Sequence, residues 1–191
     1  MRKLLNIAVV IAVLICPMFA QGPSYPYQVN LNFTASTGTV TGYNMYRSPY
    51  ASSACGTYAK LNATPFTSTT YVDSNPPQGA YCYAATALDN TVESGFSNID
   101  SNILIPPPPP TGLGGSVANG NIQFNWVNHG GYADNLMCGA TAPTKKITYL
   151  TPEVTTYTWT NVPSGPEKCG VYETSKDGPS ALSNIVSLNV P

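Results

Sequence analysis

The stretch "YVDSNPPQGAYCYAATALDN", residues 71–90, decides the fold of this chain. A short run of alternating residues ends at a turn rich in Pro, Asn and Gly, and a longer alternating run, "AYCYAATAL", follows it. Alternation with a period of two is typical of a β-strand, and the residues between the runs are those that favour turns. The stretch therefore predicts two β-strands, with Cys82 inside the second.

The rest of the chain has the same character. It is rich in Thr, Tyr, Val and Ser, it is interrupted by Gly, Pro or Asn at roughly 8–12-residue intervals, and it contains no convincing helical period after the first twenty residues. Strands are predicted at residues 29–34, 42–47, 58–61, 69–72, 80–88, 97–104, 114–117, 121–127, 135–138, 146–150, 157–160, 168–174 and 183–190. The sequence thus predicts an all-β protein.

The two halves of the chain repeat each other. "TTYVDSNPPQGAYCY" matches "YTWTNVPSGPEKCGV", and "FSNIDSNILIP" matches "LSNIVSLNVP". Five consecutive prolines, residues 106–110, separate the halves, and such a run adopts an extended, semi-rigid rod. We therefore predict a first domain at residues 21–105, a polyproline linker at 106–110 and a second domain at 111–191.

Residues 1–20 have the composition of a secretory signal peptide. Arg2 and Lys3 precede an apolar run that ends before Cys16, and Ala20 supplies a small residue for cleavage. The run is shorter than the roughly 20 apolar residues that span a bilayer. We predict cleavage after Ala20 and secretion to the exterior or the cell surface. A lipid-anchored Cys16 is the alternative, although Ile15 stands where lipoprotein processing prefers a small residue.

The charge of the chain argues against nucleic acid as a partner. Charged residues make up only 9 % of the chain, against roughly 25 % in average soluble proteins. Loss of Arg2 and Lys3 with the signal peptide changes the formal net charge from −1 to −3. No basic stripe is left to neutralise phosphates, which is the term that dominates nucleic-acid affinity.

Residues 29–105 contain the segments "VNLNFTASTGTVTGYNMYRS", "TYAKLN" and "YVDSNPPQGAYCYAATALDNTVESGFSNI". Through these segments they resemble bacterial fibronectin type III modules. Residues 110–190 are similar through "TGLGGSV", "NIQFNW", "NVPSG" and "SNIVSLNV". The resemblance implies two tandem seven-stranded Greek-key β-sandwiches. It implies little about function, because this fold carries many functions.

The first copy departs from the family at its opening strand. Only residues 21–28 precede the strand at 29–34, and they include Pro23 and Pro26, so the opening strand is predicted to be short or missing. An unpaired edge is a template for another chain. Two alternatives stay open: a shortened edge strand, or a strand contributed by another chain.

The resemblance also implies how the four cysteines of the mature chain pair. In its strand assignment Cys55 meets Cys82, and Cys138 meets Cys169 at the same place in the second copy. Such bridges persist in oxidising compartments, and each stabilises a domain by roughly 3–4 kcal/mol. A zinc site is disfavoured because no close C-x₂-C pair occurs, and a catalytic thiol is disfavoured because no base lies near Cys82 in sequence.

Residues for catalysis or metal binding are sparse. His129 is the only histidine and lies in a Gly-rich turn, and no G-x-S-x-G elbow or phosphate loop occurs. The acidic residues are scattered, and the segment 89–93 lacks an EF-hand pattern. We predict no enzyme, no cofactor and no metal. Tyr46, Tyr50 and Tyr58, around the loop "SPYASSACGTY", are the predicted recognition surface, with core placement as the alternative.

These observations predict a secreted, non-enzymatic binding or spacer protein with two bridged domains. Its partner would be a protein or a polysaccharide at the cell exterior. One alternative is a structural subunit of an extracellular filament or surface coat, self-associating through the open edge of the first domain. A second alternative is a carbohydrate-binding accessory module.

Overall fold

The computed structural model describes residues 9–13, 27–129 and 131–191. They form two compact units, which we call domain 1 (residues 9–13 and 27–105) and domain 2 (the described residues of 106–191). All regular elements of these described residues are β-strands, and each domain contains two antiparallel sheets. The predicted fold class, two tandem β-sandwiches, is confirmed. Cleavage after Ala20 and the modification of Cys16 fall outside the described residues.

Domain 1 packs a three-stranded sheet, in the order β1-β2-β6, against a larger sheet built around β3 and β7. The short strands β4 and β5 pair with β3, and β8 and β9 pair with β7. The strands are β1 (Val9–Val13), β2 (Val29–Phe33), β3 (Gly42–Ala51), β4 (Ala54–Cys55), β5 (Ala59–Lys60), β6 (Thr70–Asp73), β7 (Gly79–Asp89), β8 (Val92–Glu93) and β9 (Asp100–Ile105).

Domain 2 repeats this arrangement with a sheet β10-β11-β14 and a sheet in which β12 and β15 are central. The strand β13 pairs with β12, and β16 and β17 pair with β15. The strands are β10 (Thr111–Ala118), β11 (Asn121–Val127), β12 (Ala133–Gly139), β13 (Lys145–Leu150), β14 (Thr156–Trp159), β15 (Gly165–Ser175), β16 (Gly178–Pro179) and β17 (Val186–Val190).

Alternation along the strands forms the core of domain 1. In β2, Val29, Leu31 and Phe33 are buried while Asn32 is exposed. On the facing sheet, three residues of β3 lie directly opposite three of β7 and point to the core: the pairs are Tyr43–Ala87, Met45–Ala85 and Arg47–Tyr83. Burying each large apolar side chain contributes about 1.5–3 kcal/mol, so these alternating positions hold the two sheets together.

A polar link joins the two sheets of domain 1. The Arg47 guanidinium lies 2.7 Å from Asp73 Oδ2 on β6, and the Tyr83 hydroxyl donates to the same oxygen at 2.9 Å. Burial, followed by the nearby Asp73 carboxylate, raises the pKa of Tyr83. The phenol therefore remains a hydrogen-bond donor throughout the physiological range.

Domain 2 fills the corresponding inward positions differently. The three pairs of β12 and β15 are Asp134–Glu173, Leu136–Val171 and Cys138–Cys169. Matching hydrogen bonds fix the correspondence, because Ser97 Oγ accepts from the Ala85 amide and Ser183 Oγ accepts from the Val171 amide, both at 3.0 Å. The central apolar pair is thus common to both domains, and the pairs on either side of it differ.

The opening strands also differ between the domains. In domain 2, β10 lies directly before β11 in sequence and pairs with it. In domain 1, residues 27 and 28 form no strand, and the corresponding place beside β2 is taken by β1. The prolines of the predicted linker form no strand either, and Pro107 and Pro110 are buried.

Candidate recognition surface

Four of the five cysteines form one bridge in each domain, Cys55–Cys82 and Cys138–Cys169. Cys138 lies directly opposite Cys169, and both belong to the core of domain 2. Cys82 lies opposite Ser48 and alternates with the core residues of β7, so it points away from the core. Each bridge thus joins the end of one central strand, or the hairpin after it, to the beginning of the other, as the resemblance implies, but the two bridges lie on opposite faces of their sheets.

The difference between the bridges comes from one residue. Strands β7 and β15 both contain 11 residues and both begin at a glycine, but Cys82 is the fourth residue of β7 and Cys169 the fifth of β15. Successive side chains of a strand point to opposite faces. A shift of one position therefore moves a cysteine from the core face to the outer face.

The outward-pointing bridge fixes a flap in domain 1, residues 51–58. The flap turns at Ser52 and Ser53, which both have positive φ, and returns so that Cys55 pairs with Tyr50. The Gly56 amide then donates to the Pro49 carbonyl at 2.8 Å. The bridge to Cys82 ties this flap to the outer face of the sheet.

The outer face of the β3–β7 sheet is covered rather than open to solvent. Its residues alternate with the core residues, yet most are buried: Asn44, Ser48, Cys82, Ala84 and Thr86 are each no more than 3 % exposed. Three aromatic side chains, Tyr46 of β3, Tyr58 of the flap and Phe96 of the loop after β8, form a cluster that we call the aromatic platform.

The platform is organised around Phe96. Its ring centroid lies 4.7 Å from that of Tyr58 and 5.1 Å from that of Tyr46, and the Tyr46 contact is edge-to-face. Both tyrosines are half-buried, whereas Phe96 is 47 % exposed. Aromatic pairs at such distances contribute about 0.5–1.5 kcal/mol each beyond the area they bury. The two tyrosines therefore hold an exposed phenyl ring in a fixed position.

Glu93 lies beside the platform and carries a fixed negative charge. Its Oε1 accepts from Asn44 Nδ2 at 2.8 Å, from the Tyr46 hydroxyl at 2.7 Å and from the Thr86 hydroxyl. The bonds from Asn44 and Thr86 lower the pKa of Glu93, against the opposing effect of burial. Burial, followed by the bond to Glu93, raises the pKa of Tyr46. At neutral pH the site thus pairs a carboxylate with a phenol.

The structure brings together two of the three tyrosines that the sequence indicated. Tyr46 and Tyr58 both contact Phe96, whereas Tyr50 lies in the β3–β4 hairpin opposite Cys55. Phe96 and Glu93 were not among the predicted site residues. The sequence signal for Phe96 was weak. This phenylalanine lies in a loop of Gly, Ser and Asn ("SGFSN"), it is one of several aromatic residues, and its partner Tyr58 lies 38 positions away.

The other candidates for chemistry are dispersed. His129 is exposed, and its backbone amide donates to Glu173 Oε1 at 2.8 Å. Within residues 9–13, 27–129 and 131–191, no three His, Cys, Asp or Glu side chains cluster in a way that would hold a metal ion. None of these residues belongs to a helix with the length and apolarity that a membrane span requires.

Domain 2 contains a buried pair of acids whose proximity the sequence did not indicate. Asp134 and Glu173 are directly opposite each other and fully buried. Asp134 Oδ2 accepts from Trp126 Nε1 at 3.0 Å, while Asp134 Oδ1 and Glu173 Oε2 have no partner among the described residues. Burial raises the pKa of both carboxyls, and the proximity of Asp134 raises that of Glu173 further.

Comparison with known proteins supports the fold. No protein-family model matches the chain, and no curated protein sequence matches it. A segment of two fibronectin type III domains from chicken tenascin is similar in structure, with a TM-score of 0.55 and 11 % identity; the match covers 85 % of this chain and 92 % of that one. At this identity the likeness concerns the fold alone.

Two further solved structures match with lower scores. The FN1–FN3 domains of chicken CNTN1 match with a TM-score of 0.41 and 15 % identity, over 85 % of this chain and 62 % of that one. The chicken interferon gamma receptor alpha chain matches with a TM-score of 0.48 and 11 % identity, over 86 % of this chain and 92 % of that one.

Proposed function

We propose that the protein is a secreted, non-enzymatic binding protein and that the aromatic platform of domain 1 is its recognition surface. The observation that carries the proposal is Phe96, a large apolar ring that is 47 % exposed yet held in place by two tyrosine rings. Exposed aromatic residues on loops, supported by a rigid sheet, are suited to recognition rather than to stability.

Secretion is supported by the sequence and by the bridges. Residues 1–20 have the composition of a signal peptide, and each domain contains a disulfide. Disulfides form and persist in oxidising compartments. The bridge Cys55–Cys82 has a direct role in the proposed function, because it fixes the flap that contributes Tyr58.

A polysaccharide is the ligand class that the platform fits best. The Phe96 ring offers a flat apolar face on which a sugar ring can stack, and Glu93 and the Tyr46 hydroxyl next to it are hydrogen-bonding groups for sugar hydroxyls. Binding sites commonly combine an apolar surface with a few fixed polar groups in this way. The fixed geometry also lowers the entropy lost on binding.

The test is affinity electrophoresis of the mature protein in gels that contain soluble neutral polysaccharides: xylan, mixed-linkage β-glucan or galactomannan. We expect at least one of them to retard the protein, and Phe96→Ala and Tyr58→Ala to weaken that retardation at least about tenfold, the effect of losing roughly 1.4 kcal/mol. The matched control is Tyr149→Ala, which removes an aromatic ring that is 57 % exposed in domain 2.

Two results would contradict this function. If none of the polysaccharides retards the protein, the carbohydrate ligand is wrong and a protein ligand or a spacer role takes its place. If Phe96→Ala and Tyr149→Ala are retarded to the same extent in the polysaccharide gels, binding does not occur at the platform.

A second candidate function is a subunit of an extracellular filament or surface coat. The observation that favours it is the strand order β1-β2-β6, in which the segment beside β2 comes from residues predicted to be cleaved off. An edge strand that loses its neighbour is a template for pairing with another chain. Light scattering on the mature protein tests this function; a monomer at high concentration would exclude it.

A further inference from the structure

Strand β2 of domain 1 has a neighbour on each side. On one side β6 pairs antiparallel with it, from Val29↔Asp73 to Asn32↔Thr70. On the other side β1 pairs antiparallel over all five residues, from Val9↔Phe33 to Val13↔Val29. The register is continuous, with no bulge. The β2 edge therefore accepts an incoming five-residue strand along its full length.

The accepted strand has a distinct chemistry. Residues 9–13 read "VVIAV", with four β-branched residues, no proline, no glycine and no charge, which is a composition of high β-propensity. The segment that directly precedes β2 cannot replace it easily. Its prolines Pro23 and Pro26 lack the backbone N–H groups that a ladder requires.

The consequence of removing β1 is specific to domain 1. Domain 2 supplies its own strand β10 from within the domain, and Leu113 of that strand is buried in the core. In domain 1, the described strands of the corresponding sheet are β1, β2 and β6, so β1 is the neighbour of β2 on that side. Cleavage after Ala20 would leave the backbone groups on one side of β2 unpaired, next to the buried residues Val29, Leu31 and Phe33.

We propose that the β2 edge is a strand-acceptor site and that its partner is an extended, proline-free, apolar strand from another polypeptide. The partner strand runs antiparallel to β2, in the register that β1 occupies, and adds its backbone hydrogen bonds to the sheet as in other cases of β-strand addition. The acceptor site rests on the assembly function proposed above, because both use the same edge of β2. It adds to that function the chemistry of the partner strand.

The first experiment tests the register within the full chain. In a Cys16→Ser background, Val10→Cys with Asn32→Cys places two cysteines directly opposite each other, whereas Ala12→Cys with Asn32→Cys offsets them by two residues. Directly opposite positions are close enough for a disulfide and diagonal positions are not. We expect the first pair to bridge at least about tenfold faster, by peptide mapping under non-reducing conditions.

The second experiment supplies the strand in trans. The chain that begins at Gln21 and carries Asn32→Cys is mixed with a synthetic peptide of residues 8–14 flanked by lysines, with cysteine at position 10 or, as the control, at position 12. We expect capture of the first peptide as a mixed disulfide at least about tenfold over the control. The cysteine-free peptide should raise the domain 1 melting temperature by about 5 °C or more.

Equal bridging by both pairs in the full chain would overturn the proposal, because β1 would then have no fixed register. Efficient bridging in the full chain without capture of the peptide would also overturn it, because the edge would accept only its own tethered segment. Capture of the peptide does not require the protein to self-associate. Failure to capture the peptide therefore contradicts the acceptor site, whereas a monomeric protein in light scattering contradicts the assembly function.

Discussion

The two domains share one strand arrangement but stabilise their central strand pairs by different chemistry. Each has an apolar pair in the middle, Met45–Ala85 or Leu136–Val171. On either side of it, domain 1 places Tyr43–Ala87 and Arg47–Tyr83, whereas domain 2 places Asp134–Glu173 and Cys138–Cys169. The fold thus fixes which positions face inward and leaves the residue types at those positions free.

The comparison shows two ways of joining the sheets of a small sandwich. In domain 1 a charged and hydrogen-bonded link, Arg47 and Tyr83 on Asp73, spans the two sheets, and the disulfide lies outside the core. In domain 2 the disulfide lies inside the core and a buried carboxyl accepts from Trp126 of the other sheet. The bridge of domain 1 is thereby free to hold the flap that contributes Tyr58 to the aromatic platform.

The largest expected effect is removal of the core bridge by Cys138→Ala with Cys169→Ala. Loss of loop closure costs roughly 3–4 kcal/mol, and the smaller side chains leave part of the core unfilled. We expect domain 2 to lose about 4–5 kcal/mol of unfolding free energy. Both tryptophans, Trp126 and Trp159, belong to domain 2, so their fluorescence during urea denaturation reports this domain. An unchanged midpoint would contradict the prediction.

Removal of the outer bridge, Cys55→Ala with Cys82→Ala, should have a smaller effect on stability. The closed loop is of similar length, 27 against 31 residues, but the core of domain 1 remains filled. We expect a loss of about 3 kcal/mol, confined to the calorimetric transition of domain 1, with tryptophan fluorescence unchanged. The flap 51–58 should become sensitive to proteolysis before domain 1 unfolds, and a resistant flap would argue against its anchoring by the bridge.

Asp73→Asn tests the polar link of domain 1. The substitution keeps the shape of the side chain but removes the charge that the Arg47 guanidinium and the Tyr83 hydroxyl share. Leaving a partly buried cation without its partner is destabilising, and because Arg47 keeps some exposure we expect a loss of about 2–3 kcal/mol in domain 1. Thr70→Ala on the same strand, an exposed position, is the control. Equal melting temperatures for the two variants would show that the link contributes little.

The buried acids make domain 2 sensitive to pH. A carboxyl with a higher pKa in the folded than in the unfolded state binds more protons when folded. The pKa values of Asp134 and Glu173 are both raised. Domain 2 is therefore expected to be most stable at a pH below about 4, the pKa of such carboxyls in the unfolded chain. It should lose stability as the pH rises from there through the higher pKa values of the folded domain.

Glu173→Gln should reduce this dependence. The amide removes one buried charge, and its oxygen can still accept from the His129 amide. We expect a gain of about 1–2 kcal/mol at pH 8 and a flatter profile between pH 4 and 8, measured by tryptophan fluorescence in urea. Exposed Glu153→Gln serves as the control. A profile as steep as that of the unsubstituted protein would assign the pH sensitivity to other groups.

Much of the fold could be predicted from local pattern. Alternation located β7 within the stretch 71–90, and the predicted strand at residues 121–127 coincides with β11. The strands that were not predicted include β4, β8 and β16, each two residues long. Two residues are too few for a period to appear, so such strands exist only because a long strand lies next to them.

The candidate site was less predictable, because it depends on contacts between distant residues. Tyr46 and Tyr58 were indicated by their loop, but Phe96 joins them only after β7 and β8 have folded back. The faces of the cysteines were readable in principle, since Cys82 and Cys169 follow their strand-initial glycines at different distances. The one-residue difference shows when the halves are aligned on these glycines and disappears when they are aligned on the cysteines.

The sequence by itself determined the all-β class, the two repeated modules and the strand periods, because the alternation of side chains along a strand is a local property. The tertiary structure decided which residues share a face, what covers the outer face of domain 1 and which segment lies beside β2. Those outcomes depend on register and on pairing between strands far apart in the chain, and a shift of one residue reverses the face on which every side chain lies.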